Sequence, residues 1–244
     1  MKDSRRRVWV AALWLLATLA LPGAPASARA QPHETVRLTD GRSFAHWAHP
    51  QHNTPIRRRP QAGSPAVART HYLTEDGLPE VYPVLQKHTH PDGRSWLQIR
   101  VPMRPNGHTG WVPATALGPL QRVPTRLLVD RRSQRATLYH TGWKIWSSPI
   151  GIGAPTTPTP PGHYWIREKI KVTNPNGPYG PWAFGTSAYS VLSDWPGGGV
   201  IGIHGTNQPQ LIPGTPSHGC IRLPNPAITQ LTKHMPIGTP IHIR

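Results

Sequence analysis

The sequence predicts a mostly β protein in two parts, a small β-barrel followed by a larger β-rich unit with one short helix. Three observations carry that expectation. First, 31 Pro and 23 Gly make up roughly a fifth of the 244 residues. Long helices do not persist at that density, because proline lacks an N–H and clashes with the preceding turn. Second, short apolar runs recur between turn signals, as Leu97-Gln98-Ile99-Arg100-Val101 does before Asn106-Gly107. Third, one segment near the C-terminus has helical spacing, and no other credible helix is found. A helical bundle is therefore excluded. Ten Trp and the Val/Ile/Leu clusters exclude full disorder.

Taken in order, residues 1–30 read as an export signal. Lys2, Arg5, Arg6 and Arg7 precede an apolar run, Val8–Leu21, and Ala26-Ser27-Ala28 and Ala28-Arg29-Ala30 both offer small residues for cleavage. The run is short of the ~20 residues a spanning helix needs, which favours a signal peptide over an uncleaved N-terminal membrane anchor. Residues 31–53 are polar and His-rich and read as a flexible lead-in. Residues 54–119 hold four strand candidates, Ala66–Arg69, Glu80–Leu85, Ser95–Val101 and Gly110–Val112. Through Arg94–Leu97 and Gly110–Leu117 this stretch resembles a bacterial SH3-like domain.

A Pro-bounded joint, Gly118–Pro124, leads into residues 125–244. Arg126–Val129, Ala136–His140 and Lys144–Ile150 are expected to form an antiparallel meander, with His163–Ile170 as a further strand. Asn174–Trp182 (NPNGPYGPW) is too broken to be regular and reads as a surface loop shaping a site. The helix is placed after Asn225, expected as its cap, with Pro226 in the first turn and Ile228, Leu231 and Met235 on one face. Thr239–Arg244 closes the unit as a strand, Ile241 and Ile243 facing inward.

Charge narrows the partners. The chain carries +17, from 27 Lys+Arg against 10 Asp+Glu. Removing residues 1–30 takes away five positive charges and one negative, leaving +13. For an exported protein this basic, an anionic cell envelope is the expected partner, and no nucleic acid is. Export also sharpens the meaning of the single cysteine, Cys220. It has no intramolecular disulfide partner. On count alone it is either a packed apolar residue or a reactive thiol.

The flanking residues favour the second. Val200–Ile203 reads as a strand ending at His204-Gly205-Thr206-Asn207, and Ser217-His218-Gly219-Cys220-Ile221-Arg222 follows a turn-rich loop. His204 therefore lies 16 residues before Cys220, a loop length that can bring two strand ends together. A thiol needs such a neighbour, because only the thiolate is a strong nucleophile. Gly219 permits a sharp turn, which can aim the amides of Gly219 and Cys220 at a developing oxyanion. Arg222 is placed to hold a substrate carboxylate. No Asp or Glu follows Asp194, so a backbone carbonyl, that of Gly205, is expected to orient His204. A zinc site at His204, His218, Cys220 and His234 or His242 lacks a second Cys and any common ligand spacing. The Trp residues, Trp182 and Trp195 beside the site included, read as packing.

Residues 125–244 resemble the catalytic domain of bacterial L,D-transpeptidases, on the His204–Asn207 and Ser217–Arg222 motifs, with Leu128-Val129-Asp130, Thr159-Pro160-Pro161-Gly162 and Asn225 in support. The resemblance implies an enzyme that forms 3-3 peptidoglycan cross-links. Cys220 would be the acylated nucleophile and His204 its base. Ser217, His218, Gly219 and Gly205 would shape the site, and Arg222, Thr206 and Asn207 would bind substrate. It further implies peptidoglycan stem peptides as substrates, carbapenems as covalent inhibitors, and neither metal nor organic cofactor. A carboxypeptidase, a stem-peptide cysteine peptidase and a non-catalytic wall-binding protein are the competing readings.

Overall fold

The computed structural model describes residues 34–194 and 196–244. The expected export segment, the first residues of the lead-in and Trp195 lie outside the described residues. The architecture is mostly β with one α-helix. Among the described residues no helix is long and apolar enough to cross a membrane.

Eight strands build the N-terminal sheet: β1 (Glu34–Arg37), β2 (Ala45–Ala48), β3 (Pro55–Arg57), β4 (Ala66–Arg69), β5 (Tyr82–Thr89), β6 (Ser95–Arg100), β7 (Thr109–Pro113) and β8 (Gln121–Val123). They pair in the order β4-β3-β7-β6-β5-β2-β8, with β1 also laid on β5. No ladder joins β4 to β8, so the expected small barrel is an open sheet. The edges explain this. β4 is four residues long and pairs only with β3, and β8 stops before Pro124, which has no N–H to extend a ladder.

Two stretches expected to be irregular carry strands. The described part of the expected lead-in, residues 34–53, contains β1 and β2, and the joint at Gly118–Pro124 contains β8. The apolar content of β2 sits in four residues, too few to show a period, yet Ala45, Trp47 and Ala48 are all buried. Asp40 fixes the turn before it, its Oδ1 accepting hydrogen bonds from the amides of Arg42, Ser43 and Phe44 at 2.8, 2.8 and 3.0 Å.

The C-terminal unit has two sheets. Its strands are β9 (Thr125–Asp130), β10 (Arg135–His140), β11 (Trp143–Pro149), β12 (Gly151–Gly153), β13 (Gly162–Trp165), β14 (Ile170–Lys171), β15 (Trp182–Tyr189), β16 (Val200–His204), β17 (Gly214–Ser217) and β18 (Ile221–Arg222), followed by α1 (Asn225–His234) and β19 (Pro240–Ile243). The meander β9-β10-β11 forms as expected, and β19 runs parallel to β9 with β13 beyond it. The second sheet has the order β14-β15-β16-β18-β12-β17. His163–Ile170 is not one strand. Its ladder with β19 ends at Trp165, and Ile166 bridges to Thr186 in the other sheet. The segment thus turns the corner between the two sheets. Leu127, Val129 and Leu138 from one sheet meet Phe184, Ile203 and Ile221 from the other, and Ile228 and Leu231 of α1 close the core.

A buried ion pair joins the N-terminal sheet to this unit. Arg167 Nε donates to Glu80 Oε1 at 2.8 Å, a second guanidinium nitrogen contacts Glu80 Oε2, and Nη1 lies 2.8 Å from Glu75 Oε2. Glu80 is fully buried and Arg167 nearly so. Burial alone would weaken the hold of Arg167 on its proton, but the two carboxylates raise its pKa instead. Trp165 Nε1 donates to Val81 O at 2.7 Å beside an apolar cluster of Trp47, Val81 and Val123. Replacing Arg167 by Met leaves Glu80 buried without its counter-charge, a change expected to cost about 3–5 kcal/mol. Urea denaturation at pH 7 measures it, and a loss below about 1 kcal/mol would show that the pair does not hold the two parts together.

Candidate active site

β16 and β18 are parallel neighbours, with Ile203 opposite Ile221 and His204 opposite Arg222. This register brings Cys220, just before β18, beside Gly202, whose N–H lies 3.4 Å from Sγ. A Cβ at Gly202 would sit 3.6 Å from His204 Cδ2 and 3.9 Å from Cys220 Sγ. The imidazole and the thiol therefore flank the bare backbone of one glycine. His204 Nδ1 is 2.6 Å from Gly205 O. A carbonyl only accepts, so Nδ1 carries the hydrogen and Nε2, adjacent to Cδ2, keeps its lone pair.

The electrostatics keep both groups neutral at rest. Burial pulls His204 down to about 4, against the bond to Gly205 and reinforced by the charge of Arg222. Burial likewise pushes the Cys220 thiol up, offset in part by the Gly202 N–H and by Arg222. At neutral pH the site holds a thiol beside a neutral imidazole with a free lone pair, the protonation states in which a thiol can give up a proton and an imidazole can take it.

Two cavities of about 280 Å³ each meet at this pair. The first is lined by Arg222, Ser217, His218, Ser190 and Tyr179, the second by Glu168, Asp76, Phe184 and Gly185. Cys220 is thus not sealed in the core. The Tyr179 ring, on the Asn174–Trp182 loop, stands edge-on to His204 with centroids 4.9 Å apart.

Residues 124–243 match the family model of the YkuD L,D-transpeptidase catalytic domain. This segment belongs to the YkuD family. Proteins of Bacillus licheniformis and Bacillus subtilis that carry the provisional name L,D-transpeptidase YkuD are each 31% identical over 121 residues, half of this chain and 66% of each relative. The chain thus spans just under two thirds of the length of these curated relatives. Among solved structures, a mutant of the Enterococcus faecium L,D-transpeptidase is 28% identical over 49% of each chain, with a TM-score of 0.38. A Bdellovibrio bacteriovorus structure is 27% identical over 49% of this chain and 47% of that one, with a TM-score of 0.39.

Within the YkuD-family domain, the residues singled out from sequence divide into three groups. Cys220, His204, His218, Ser217 and Arg222 all face the first cavity. Gly205 and Gly219 act through the backbone. Gly219 has φ +124°, and a Cβ there would lie 2.5 Å from Ile201 Cδ1, so any other residue would be strained at this position. Its amide, expected to serve an oxyanion, donates instead to Ser217 Oγ at 3.2 Å, while that hydroxyl donates to Cys220 O at 2.6 Å. Thr206 and Asn207, expected to bind substrate, reach neither cavity. Thr206 is buried and ties the turn, its Oγ1 accepting the Gln208 N–H at 3.0 Å, and Asn207 faces solvent.

The contacts that several further residues make around the site were not legible from the motifs. Asn225 does not cap α1, whose N-cap is Pro224. Its Oδ1 accepts the Thr206 N–H at 2.9 Å in a space so tight that a Cβ on Gly180 or Gly205 would come within 2.4 Å of it. Thr159 Oγ1 donates to Gly219 O at 2.7 Å. Glu168 and Gly202 gave no sequence signal, because each acts only through the fold.

Iodoacetamide alkylation of Cys220 is expected to accelerate with pH through and above the ordinary thiol range near 8.5. A plateau already reached by pH 6 would mean a preformed thiolate–imidazolium pair. Gly202→Ala, which inserts a methyl between base and thiol, is expected to slow turnover about 10- to 100-fold with little change in melting temperature. Turnover within twofold of wild type would show that the gap is not needed.

Proposed function

We propose that the protein is an exported L,D-transpeptidase of the cell envelope that forms 3-3 cross-links through a Cys220 thioester. The observation that supports this reading best is the meeting, at the Cys220–His204 pair, of one cavity lined by Arg222 and another lined by the carboxyl groups of Glu168 and Asp76. The cavity with Arg222 suits an acyl donor bearing carboxylates, and the buried Nε of Arg222 has no hydrogen-bond partner among the described residues. The cavity with Glu168 and Asp76 suits an acceptor arriving with an amino group.

In this reading His204 Nε2 takes the thiol proton as Sγ attacks the carbonyl joining the third stem residue to the terminal D-Ala. The Cys220 amide is the candidate oxyanion donor, since Ser217 engages that of Gly219. The C–N bond then breaks and the D-Ala amine leaves with the proton from His204. An acceptor side-chain amine attacks the thioester carbonyl and gives its proton to His204. The C–S bond breaks, and the thiolate recovers that proton. Carbapenems would acylate the same sulfur, because opening their ring leaves nothing to depart. The N-terminal sheet, SH3-like in the sequence motifs it carries, would serve as a wall-facing module, and the basic surface suits that setting.

Incubation with a disaccharide-tetrapeptide, followed by mass spectrometry, tests the reading. D-Ala release with a new dimer, both absent in Cys220→Ala, is expected. D-Ala release without a dimer would indicate a carboxypeptidase, cleavage elsewhere in the stem a peptidase, and no change in either protein a wall-binding role. Glu168→Gln is expected to shift the product ratio from dimer toward hydrolysed tripeptide. An unchanged ratio would remove the acidic cavity from the acceptor's path.

A further inference from the structure

A cavity of about 500 Å³ lies away from the active site, between the back of the N-terminal sheet and the back of the β9–β19–β13 sheet. Strand alternation explains its lining. On β13 and β19, Tyr164 and Ile241 face the core, so His163 and His242, opposite each other in register, face the cavity. Their rings stack with centroids 4.5 Å apart and planes 14° from parallel. On β9, Leu127 and Val129 point inward and Arg126 outward. On β6, Leu97 and Ile99 point inward, and Arg100 faces the cavity from the opposite wall.

Two arginines and two histidines thus converge on one space, with Arg37 at its side. Arg100 makes no ion pair or side-chain hydrogen bond among the described residues, and burial lowers the pKa of its guanidinium. Arg126 stacks on Tyr139, 4.7 Å from the ring centroid, yet its buried Nε has no hydrogen-bond partner among the described residues. The single carboxylate lining the cavity is Asp40, and one of its oxygens already accepts three amides of its own turn. Both histidines titrate below their usual range. Burial leads in each case, with Arg100 and the partner ring adding for His163, and Arg126 and Arg244 for His242. The cleft thus sets three arginines against one carboxylate that is engaged by its own turn, and a bound anion would supply the missing counter-charge.

The geometry points to a binding site in this cleft for an oxyanion, a phosphate or carboxylate group carried by an anionic ligand, held by Arg100 and Arg126 from opposite walls over the His163–His242 pair. Its size suits a ligand of a few linked groups. The site is separate from Cys220 and does not depend on the reaction proposed above.

Calorimetric titration of the full chain at low ionic strength, with sodium pyrophosphate in one arm and citrate in the other, tests it. Saturable binding is expected, weakened about tenfold or more in Arg100→Gln/Arg126→Gln and unchanged in Cys220→Ala. Tighter pyrophosphate binding would identify a phosphate-bearing ligand, and tighter citrate binding a carboxylate-bearing one. On the unsubstituted protein, imidazole resonances followed by NMR should show His163 and His242 titrating at higher pH once the anion is bound. This second readout stands even if the double variant fails to fold. Absence of saturation with both anions, equal binding by the double variant, or histidine titrations that ignore the anion would overturn the assignment.

Discussion

The parallel ladder between β16 and β18 is the constraint on which the site depends. Parallel strands cannot be joined by a tight turn and need a crossover of about a dozen residues. The stretch from Gly205 to Gly219 supplies it and returns Cys220 to the level of Gly202. Once that register is set, the imidazole and the thiol have little freedom left. Their neutrality at rest follows from the same burial that fixes them.

The loop carrying Cys220 is held from several sides. Thr159 bonds to Gly219 O, Ser217 to Cys220 O, and Ser190 Oγ donates to His218 O at 3.1 Å. Ser190 is in turn fixed by the N-terminal unit. Asn106 exchanges hydrogen bonds with the backbone of Tyr189 at 2.9 and 3.0 Å, and the Arg104 guanidinium contacts Ser190 O and stacks on the Tyr189 ring. The N-terminal sheet therefore forms part of the support of the loop that carries Cys220, and the Glu80–Arg167 pair fixes the joint through which that support acts. The geometry of Cys220 rests on residues more than a hundred positions away in sequence.

Much of this was legible in the sequence where local chemistry is strong. The β9–β11 meander, the helix with Pro226 in its first turn, and the pairing of His204 with Cys220 each follow from a short pattern. What escaped notice has a common cause. β15 is buried along most of its length and rich in small residues, so it shows neither alternation nor a clear apolar run. β2 and β8 are too short to have a period. Asn225 looked like a helix cap because Asn before a helical run usually is one, and only the approach of Gly180 and Gly205 reveals its other use. Thr206 shares a motif with His204, but motif membership did not foretell that its side chain would be buried.

The central claim is that Cys220 forms a covalent acyl intermediate with His204 as its base. The most direct measurement is intact-protein mass spectrometry of the enzyme quenched in acid during turnover of a tetrapeptide stem, followed by peptide mapping. The account predicts a mass increase equal to the tripeptide acyl group, located on the peptide that contains Cys220. It also predicts that this adduct accumulates more slowly in His204→Gln. Turnover with no adduct on that peptide, or an adduct on any other residue, would contradict it.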